Sequence, residues 1–346
     1  MAYIISHTEK VQPQGRQKEL EALLFLFSEK SGIEENEIEY FIIDVFNDLT
    51  GADKKYSEGS DFQSKYSKNE TPEEIGGNLL TLFRNYLSDF PFVSFTLFYG
   101  GSDPKYLINP ALEECSYSNF TEKARDGIAR GLTKKVLDDG TFEGVLFGDH
   151  RISKFLAKVR FLSPSKDPET YISEYLNEQT KQFLDPDICA RICKKIRQAQ
   201  QDLKSTSLEG KCLSTFSEIS RYGHSLTYDQ IKSLILNTVF STDIFKNPNI
   251  PDEFRAYISQ TPECDIKERF ELAQSGIFKA YVVRGLDKEF WDFFKSVCSI
   301  YKANKSTSLQ TISQMITSNS LKMHPMMDLE SSLLFSSYIK GEYYEN

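Results

Sequence analysis

The sequence feature that most constrains the fold is a helix followed closely by a short apolar run. A capping box at residues 71–74, with proline at the first helical position, begins a helix whose apolar positions continue to Leu87. Residues 92–99 are too few and too aromatic for a helix, and two glycines close them, which predicts a buried central strand. Because a strand-like segment at 61–66 precedes the helix, the order predicts a strand-helix-strand crossover in an α/β sheet.

The sequence upstream of this crossover predicts a helix and a bent hairpin of two strands. Apolar residues spaced i, i+3, i+4 and i+7 between Leu20 and Phe27 predict a helix that begins at residue 15 and ends at residues 31–32. Residues 39–48 are rich in aromatic and β-branched types, which predicts a strand, and residues 50–53 predict the turn after it. A second turn then leads into the strand at 61–66.

The rest of the chain predicts a change from mixed to helical structure. Residues 101–150 predict a helix around 121–138 and a strand at 143–148. We therefore predict two domains, an α/β domain over 1–165 and a helical domain over 166–346 that binds partners or forms oligomers. The helices predicted in the second domain are 168–183, 186–204, 227–239, 266–283 and 287–303.

Charge and composition exclude several classes of protein. A net charge of −9 argues against sequence-independent adhesion to DNA, which needs many Lys and Arg residues. Residues 1–150 hold 15 Lys and Arg against 26 Asp and Glu, which fits either a solvated acidic surface or a carboxylate-lined metal site. The six cysteines form no CxxC unit and predict reduced thiols without zinc. With no apolar run of membrane-spanning length and no signal sequence, we expect a cytoplasmic protein.

Polar side chains are concentrated on the two predicted strands of the hairpin. Alternation along a strand puts Asp61, Gln63 and Lys65 on one face, and Asp44 and Asp48 share a face of the strand before it. Such a row is either the exposed edge of a sheet or a site with a partner. The apolar helix and strand that follow favour the second interpretation, because a carboxylate row in apolar surroundings needs a counter-charge, commonly a divalent cation.

This combination of side chains suits phosphodiester hydrolysis. Carboxylates and an amide oxygen can hold Mg²⁺ or Mn²⁺, which contacts a phosphate oxygen and lowers the pKa of a bound water. We expect Asp48 to ligate the metal together with Asp61 or Asp44, and Gln63 to complete the shell through its carbonyl oxygen. Lys65 would orient the attacking water and offset the charge that develops on phosphorus.

At these residues the chain resembles the PD-(D/E)XK nucleases, which have a restriction-endonuclease-like fold with an αβββαβ core. Asp48 matches the acid of one core strand, and Gln63-Ser64-Lys65 matches the acid-x-Lys of the next with glutamine in place of the acid. Residues 15–20 look like the Gly-x3-Glu start of the first helix, which implies that Glu19 assists the metal site. An amide carries no formal charge, so this departure implies weaker metal binding and a larger share for Asp48, Asp61 or Glu19.

The stretch from residue 61 to residue 86 is similar to nuclease subunits of bacterial anti-phage defence systems, namely the CD-NTase-associated endonuclease family and the Lamassu nuclease subunit. This resemblance covers residues 15–100. It implies a magnesium-dependent endonuclease that cleaves double-stranded DNA once assembly or partner release activates it. The implied partners are a homo-oligomer and protein subunits such as a coiled-coil SMC-like ATPase. The alternative is a non-catalytic helical adaptor or scaffold in a defence or chromosome-associated complex.

A basic cluster follows the predicted core strands. Arg151, Lys154, Lys158 and Arg160 predict contacts to DNA phosphates, with a solvated surface as the alternative. A second basic group lies at 194–197. The aromatic helix at 290–301 predicts either a buried core or a subunit interface.

Overall fold

The structure is a computed structural model that describes residues 3–5, 13–29, 38–65, 67, 69–139, 150–163, 166–205, 208–260 and 265–344. The chain forms two compact units, and each unit takes two stretches of sequence. The first comprises Met1–Tyr171 and Ile196–Tyr228, and the second comprises Ile172–Lys195 and Asp229–Asn346. The sequence predicts one boundary near residue 165, whereas in the structure the chain returns to the first unit for residues 196–228.

The secondary structure is mixed α/β, with most strands in the N-terminal half. Up to residue 162 the elements are β1 (Tyr3–Ile4), α1 (Pro13–Glu29), β2 (Ile38–Ile43), β3 (Leu49–Asp53), β4 (Gly59–Ser64), α2 (Pro72–Gly77), α3 (Leu80–Tyr86), β5 (Phe92–Phe98), β6 (Glu114–Ser116), α4 (Glu122–Asp139), α5 (His150–Leu156) and β7 (Val159–Leu162). After them come α6 (Pro168–Leu176), α7 (Glu178–Lys181), α8 (Ile188–Lys204), β8 (Cys212–Leu213), β9 (Ser225–Thr227), α9 (Tyr228–Val239), α10 (Asp252–Ile258), α11 (Ile266–Val282), α12 (Asp287–Ala303), α13 (Leu309–Thr317) and α14 (Leu329–Tyr343).

A seven-stranded sheet in the order β6-β7-β5-β4-β3-β2-β9 organises the first unit. Strands β2, β3 and β4 pair antiparallel, whereas β5 pairs parallel with β4 after the chain has passed through α2 and α3. This arrangement confirms the predicted strand-helix-strand crossover. The capping box at Thr71 is also present, because its side chain accepts from the Glu74 N–H and the Glu74 carboxylate accepts from the Thr71 N–H.

The predicted two-stranded hairpin is wrong, because three strands are present. The strand predicted over 39–48 ends at Ile43, and residues 44–48 connect it to β3. Residues 50–53, predicted as a turn, lie in β3, which is buried along its whole length. Gly51 permits the Ile38 side chain to pack closely, since a Cβ there would lie 3.0 Å from Ile38 Cδ1. The turn-like composition is therefore overridden by pairing on both sides of the strand.

Helices cover both faces of the sheet. On one face, Phe25 of α1 packs edge-on against Phe98 of β5, which also contacts Phe62 of β4. Because side chains alternate along β4, Asp61 and Gln63 point to the opposite face, which α3 covers. Asp61 and Gln63 are thus held between the sheet and α3.

The helices predicted from periodicity are present with small changes at their ends. The helix predicted over 121–138 is α4, and the one predicted over 168–183 is divided into α6 and α7 at Asn177, which has a φ of 67°. The strand predicted at 143–148 lies outside the described residues. Strands β8 and β9 were not predicted, because two or three residues carry too little pattern to be recognised.

The second unit is helical and is built around α14. Residues Ser331–Lys340 of this helix are all buried, and α10, α11, α12 and α13 pack against it. The aromatic helix predicted at 290–301 is part of α12, and its Trp291 is 1% exposed within this unit. Of the two alternatives, the structure therefore supports a core helix. No helix among the described residues is long and apolar enough to span a membrane.

Candidate active site

Asp48 is the residue around which the candidate site is arranged. It lies at the end of the connection between β2 and β3, and its carboxylate reaches the end of β4. The Oδ2 atom of Asp48 accepts a hydrogen bond from Gln63 Nε2 at 2.8 Å and another from the Ser64 backbone N–H at 2.6 Å. The structure therefore places Asp48 in contact with Gln63 and Ser64, and the shared metal expected at these residues stays a prediction.

Gln63 is held at both ends of its amide. Its Nε2 donates to Asp48, and its Oε1 accepts from the Thr81 hydroxyl at 2.7 Å. Thr81 lies on α3, so the helix that covers this face of the sheet also contacts the amide. Lys65 follows directly after β4, and its backbone N–H donates to the Phe98 carbonyl at 2.7 Å, which anchors it to β5.

Burial and nearby charged groups shift the pKa of Asp48. Loss of solvent around this half-buried carboxyl group, reinforced by the negative charge of Glu19, raises the pKa of Asp48 to about 7. The Ser64 N–H and the positive charges of Lys65 and Lys204 oppose this rise. The Asp48 carboxyl group is therefore harder to ionise than an ordinary aspartate, and Glu19, Lys65 and Lys204 lie within electrostatic range of it.

Glu19 reaches the site from α1 and is paired with a lysine. It is 5% exposed, and its Oε2 accepts from Lys204 Nζ at 2.7 Å. Lys204 is the last residue of α8, in the part of that helix that belongs to the first unit. Glu19 thus lies close enough to Asp48 for their charges to interact, and its part in a metal site stays a prediction.

Asp61 lies in a separate and fully buried network. Its carboxylate accepts from Asn47 Nδ2 at 2.6 Å, from Asn85 Nδ2 at 2.7 Å and from the Thr50 hydroxyl at 3.0 Å. Burial raises the pKa of Asp61 to about 6, and the hydrogen bonds from Asn85, Asn47 and Thr50 oppose the rise. With three donors around it, this carboxylate joins β4 to α3 and to the β2–β3 connection.

Asp44 does not share a strand face with Asp48, which corrects the expectation from the sequence. It is the first residue of the connection after β2, with a φ of 56°, and its backbone N–H donates to the Asp48 carbonyl at 3.3 Å. The left-handed backbone at Asp44 turns the chain here, so strand alternation no longer relates the two side chains.

Glu70 is a charged residue near the site that no sequence pattern predicts. It is 4% exposed, and its Oε1 accepts from Asn78 Nδ2 at 2.9 Å. Burial raises the pKa of Glu70 to about 7, while the Asn78 hydrogen bond and the charge of Lys65 oppose the rise. Lys65 therefore lies within electrostatic range of both Asp48 and Glu70. An isolated glutamate before a helix cap gives no sequence signal of burial.

The predicted DNA-contacting residues occupy different environments. Arg160 of β7 pairs with Glu114 at 2.6 Å, and the Lys158 ammonium lies 5.6 Å from the centre of the Tyr86 ring. Lys154 is exposed on α5, and Arg151 on the same helix is half-buried. Contact between these four residues and DNA stays a prediction.

The described part of the chain contains no cluster of three or more His, Cys, Asp or Glu side chains with metal-binding geometry. A metal at this site would therefore depend on the Gln63 amide as well as on carboxylates. Comparison with family models, curated proteins and solved structures finds no match to this chain.

Proposed function

We propose that the chain is a metal-dependent DNA endonuclease of the PD-(D/E)XK type, with its active site at Asp48, Gln63 and Lys65. The observation that carries this proposal is the hydrogen bond from Gln63 to Asp48. Gln63 lies two residues before Lys65 in the sequence. Asp48, in the connection between β2 and β3, contacts Gln63 at the end of β4. Along the chain, α1 is followed by the antiparallel strands β2, β3 and β4, then by α2 and α3, and then by β5, which pairs parallel with β4.

The donor set fits Mg²⁺ or Mn²⁺. Asp48 and Glu19 offer carboxylate oxygens, and Gln63 offers its amide oxygen once the amide turns so that Oε1 faces Asp48. Thr81 tolerates this turn, because its hydroxyl, which now donates to Oε1, can accept from Nε2 instead. When bound, such a metal supplies Lewis acidity toward a phosphate oxygen and lowers the pKa of a water.

The remaining groups of the site orient these donors and balance charge. The Ser64 N–H holds the Asp48 carboxylate, and the Thr81 hydroxyl can hydrogen-bond to the Gln63 amide in either orientation. The Lys65 ammonium, anchored through its backbone to β5, offsets negative charge on the phosphate and orients the attacking water. Asp61 contributes by holding β4 against α3 rather than by binding metal, because it is fully buried and donors from three residues surround its carboxylate.

Affinity for double-stranded DNA would come from assembly. Residues 1–150 contain more acidic than basic residues, so phosphate contacts by Arg151, Lys154, Lys158 and Arg160 would be weak alone. We propose that a homo-oligomer, or a complex with subunits such as a coiled-coil SMC-like ATPase, supplies the missing positive surface. In this proposal the chain is the cytoplasmic effector subunit of a bacterial anti-phage complex of the Lamassu or CD-NTase-associated type.

Plasmid cleavage tests the proposal. The chain, alone and with partner subunits purified from its host, is incubated with supercoiled plasmid and Mg²⁺ or Mn²⁺. We expect nicking that is lost in Lys65→Ala and retained in Lys55→Ala, an exposed lysine in the turn before β4. Equal inactivity of all three proteins in every assembly state, or equal activity of Lys65→Ala and the parent chain, would refute it.

A non-catalytic scaffold is the second candidate, and a specific observation favours it. Both polar atoms of the Gln63 amide are hydrogen-bonded within the protein, and Glu19 is paired with Lys204. A site that satisfies its own polar groups in this way can serve as a stable core. Absence of divalent-metal binding at Asp48 would favour this candidate.

A further inference from the structure

Two polar contacts join the C-terminal half of α8 to α1. Lys204 Nζ donates to Glu19 Oε2 at 2.7 Å, and the Arg197 guanidinium donates to Gln17 Oε1. Arg197 and Lys204 are seven residues apart, which is close to two helical turns, so both side chains lie on the same side of α8. Gln17 and Glu19 both lie in the N-terminal half of α1. The Arg197 contact therefore helps to hold the end of α8, and with it the Lys204 ammonium, beside α1.

The ion pair is shielded from solvent. The side chain of Glu19 is 7% exposed and that of Lys204 is 18% exposed. At this depth an ion pair is screened far less than on the surface, and removing one partner leaves a costly isolated charge. Glu19 thus keeps a positive charge beside it as long as α8 stays packed on α1.

The same ammonium also acts on Asp48. Lys204 and Lys65 both bring positive charge within range of Asp48, and Glu19 brings negative charge. The Lys204 ammonium therefore acts on both carboxyl groups of the candidate metal site, because it pairs with Glu19 and lies within electrostatic range of Asp48. The Lys204 ammonium lies 2.7 Å from Glu19 Oε2, so a divalent cation bound by Glu19 and Asp48 would lie close to it. Two positive charges so close together repel strongly.

We propose that the Lys204 ammonium occupies the Glu19 side of the metal site in the resting chain and competes with the divalent cation for that carboxylate. This inference rests on the proposed function. Metal binding then requires Lys204 to leave Glu19, so the packing of α8 on α1 sets the metal affinity. A chain in which α8 is held in place binds metal weakly, and displacement of the end of α8 makes the site available.

Calorimetric titration with Mg²⁺ and Mn²⁺ tests the inference without relying on cleavage. Lys204→Gln keeps a hydrogen-bond donor for Glu19 but removes the charge, Lys204→Arg keeps the charge, and Lys194→Gln changes an exposed lysine on the same helix. We expect Lys204→Gln to bind metal at least about tenfold more tightly than the parent chain. Lys204→Arg and Lys194→Gln should bind as the parent chain does. Equal affinities for Lys204→Gln and the parent chain would overturn the inference.

A mutant cycle with Glu19→Gln separates direct competition from a general effect of charge. If Lys204 competes for Glu19, Lys204→Gln should change the affinity by less than about twofold once Glu19 is already Gln. A persistent tenfold gain in that background would contradict competition at Glu19. The double variant with Glu19→Gln and Lys204→Gln has no charge at either position of the ion pair. It therefore provides a folded protein for comparison if Lys204→Gln alone is unstable.

Asp48→Asn distinguishes failure of this inference from failure of the proposed function. One possible result is that the parent chain binds metal, that Asp48→Asn abolishes this binding, and that Lys204→Gln leaves the affinity unchanged. In that case the metal site is correct and only the role of Lys204 is wrong. If neither the parent chain nor Lys204→Gln binds either metal, the metal site itself is wrong, and the inference falls with it.

Discussion

Gln63 donates its amide N–H to Asp48 over 2.8 Å, which joins the end of β4 to the residue just before β3. In this orientation the amide nitrogen, and not the amide oxygen, faces the carboxyl group. An acid at position 63, as in the more common form of the resembled motif, could not make this contact while both groups are ionised. The glutamine therefore stabilises the metal-free form of the site.

Gln63→Glu should convert this contact into a repulsion that a metal relieves. Without divalent cations at pH 8, we expect the variant to be less stable than the parent chain by about 1–3 kcal/mol, because a hydrogen bond is lost and two carboxylates face each other. Mg²⁺ should restore most of the loss. Thermal denaturation with and without Mg²⁺ measures both effects. Gln63→Leu is the control, because it loses the hydrogen bonds without adding charge. If Mg²⁺ stabilised Gln63→Leu as much as Gln63→Glu, the prediction would be contradicted.

Glu70→Gln should change the pH dependence of stability. The pKa of Glu70 is raised from 4.5 to about 7 in the folded chain, so the folded state binds this proton more tightly than the unfolded state does. Its contribution to stability is full below pH 4.5 and is lost as the pH rises through 7. Gln does not titrate, so the variant should gain stability relative to the parent chain between pH 5 and pH 8.

Urea denaturation of both proteins at pH 5 and pH 8 measures this difference. Comparing the two proteins at each pH cancels the titration of all groups that they share. A free-energy difference between variant and parent chain that stays constant, or that moves in favour of the parent chain at pH 8, would contradict the assignment of a raised pKa to Glu70.

Asp61→Ala should destabilise the first unit strongly. The substitution leaves the amides of Asn47 and Asn85 and the Thr50 hydroxyl without their acceptor in a fully buried position. We expect a loss of about 3–5 kcal/mol in the free energy of unfolding. Glu58→Ala, at an exposed position beside β4, should stay within about 0.5 kcal/mol. Chemical denaturation gives both values. A small loss for Asp61→Ala, accompanied by weaker metal binding, would instead indicate a ligand.

Gly131→Ala should disrupt the packing of α2 on α4. A Cβ at Gly131 would lie 2.0 Å from the Glu73 carbonyl oxygen, and a Cβ at Gly76 would lie 2.0 Å from the Ile128 carbonyl oxygen. Because both neighbours are backbone atoms, the helices must separate, which costs about 1–3 kcal/mol or more. At Gly341 a Cβ meets no heavy atom within 4 Å, so Gly341→Ala should be neutral or stabilising by up to about 1 kcal/mol. Similar melting temperatures for the two variants would refute this interpretation.

Local sequence patterns were sufficient for elements with strong periodicity or caps. The helix at Thr71, the buried strand β5 and the long helices α4, α8, α11 and α12 could be predicted because each carries its own signal over many residues. Strand β3 could not, because Gly51 and Ala52 have the composition of a turn. Their burial comes from pairing with β2 and β4, which is a property of the sheet.

The sequence by itself determined that Asp61 and Gln63 lie on one face of a strand, since alternation along a strand is a local rule. Only the tertiary structure decided that Asp48 contacts Gln63, that three donors surround Asp61, and that Lys204 pairs with Glu19 across 185 positions of sequence. The physical reason is that burial and partial charge at a side chain depend on which distant elements pack around it. No local pattern records that, so Glu70 and Lys204 were found only in the folded chain.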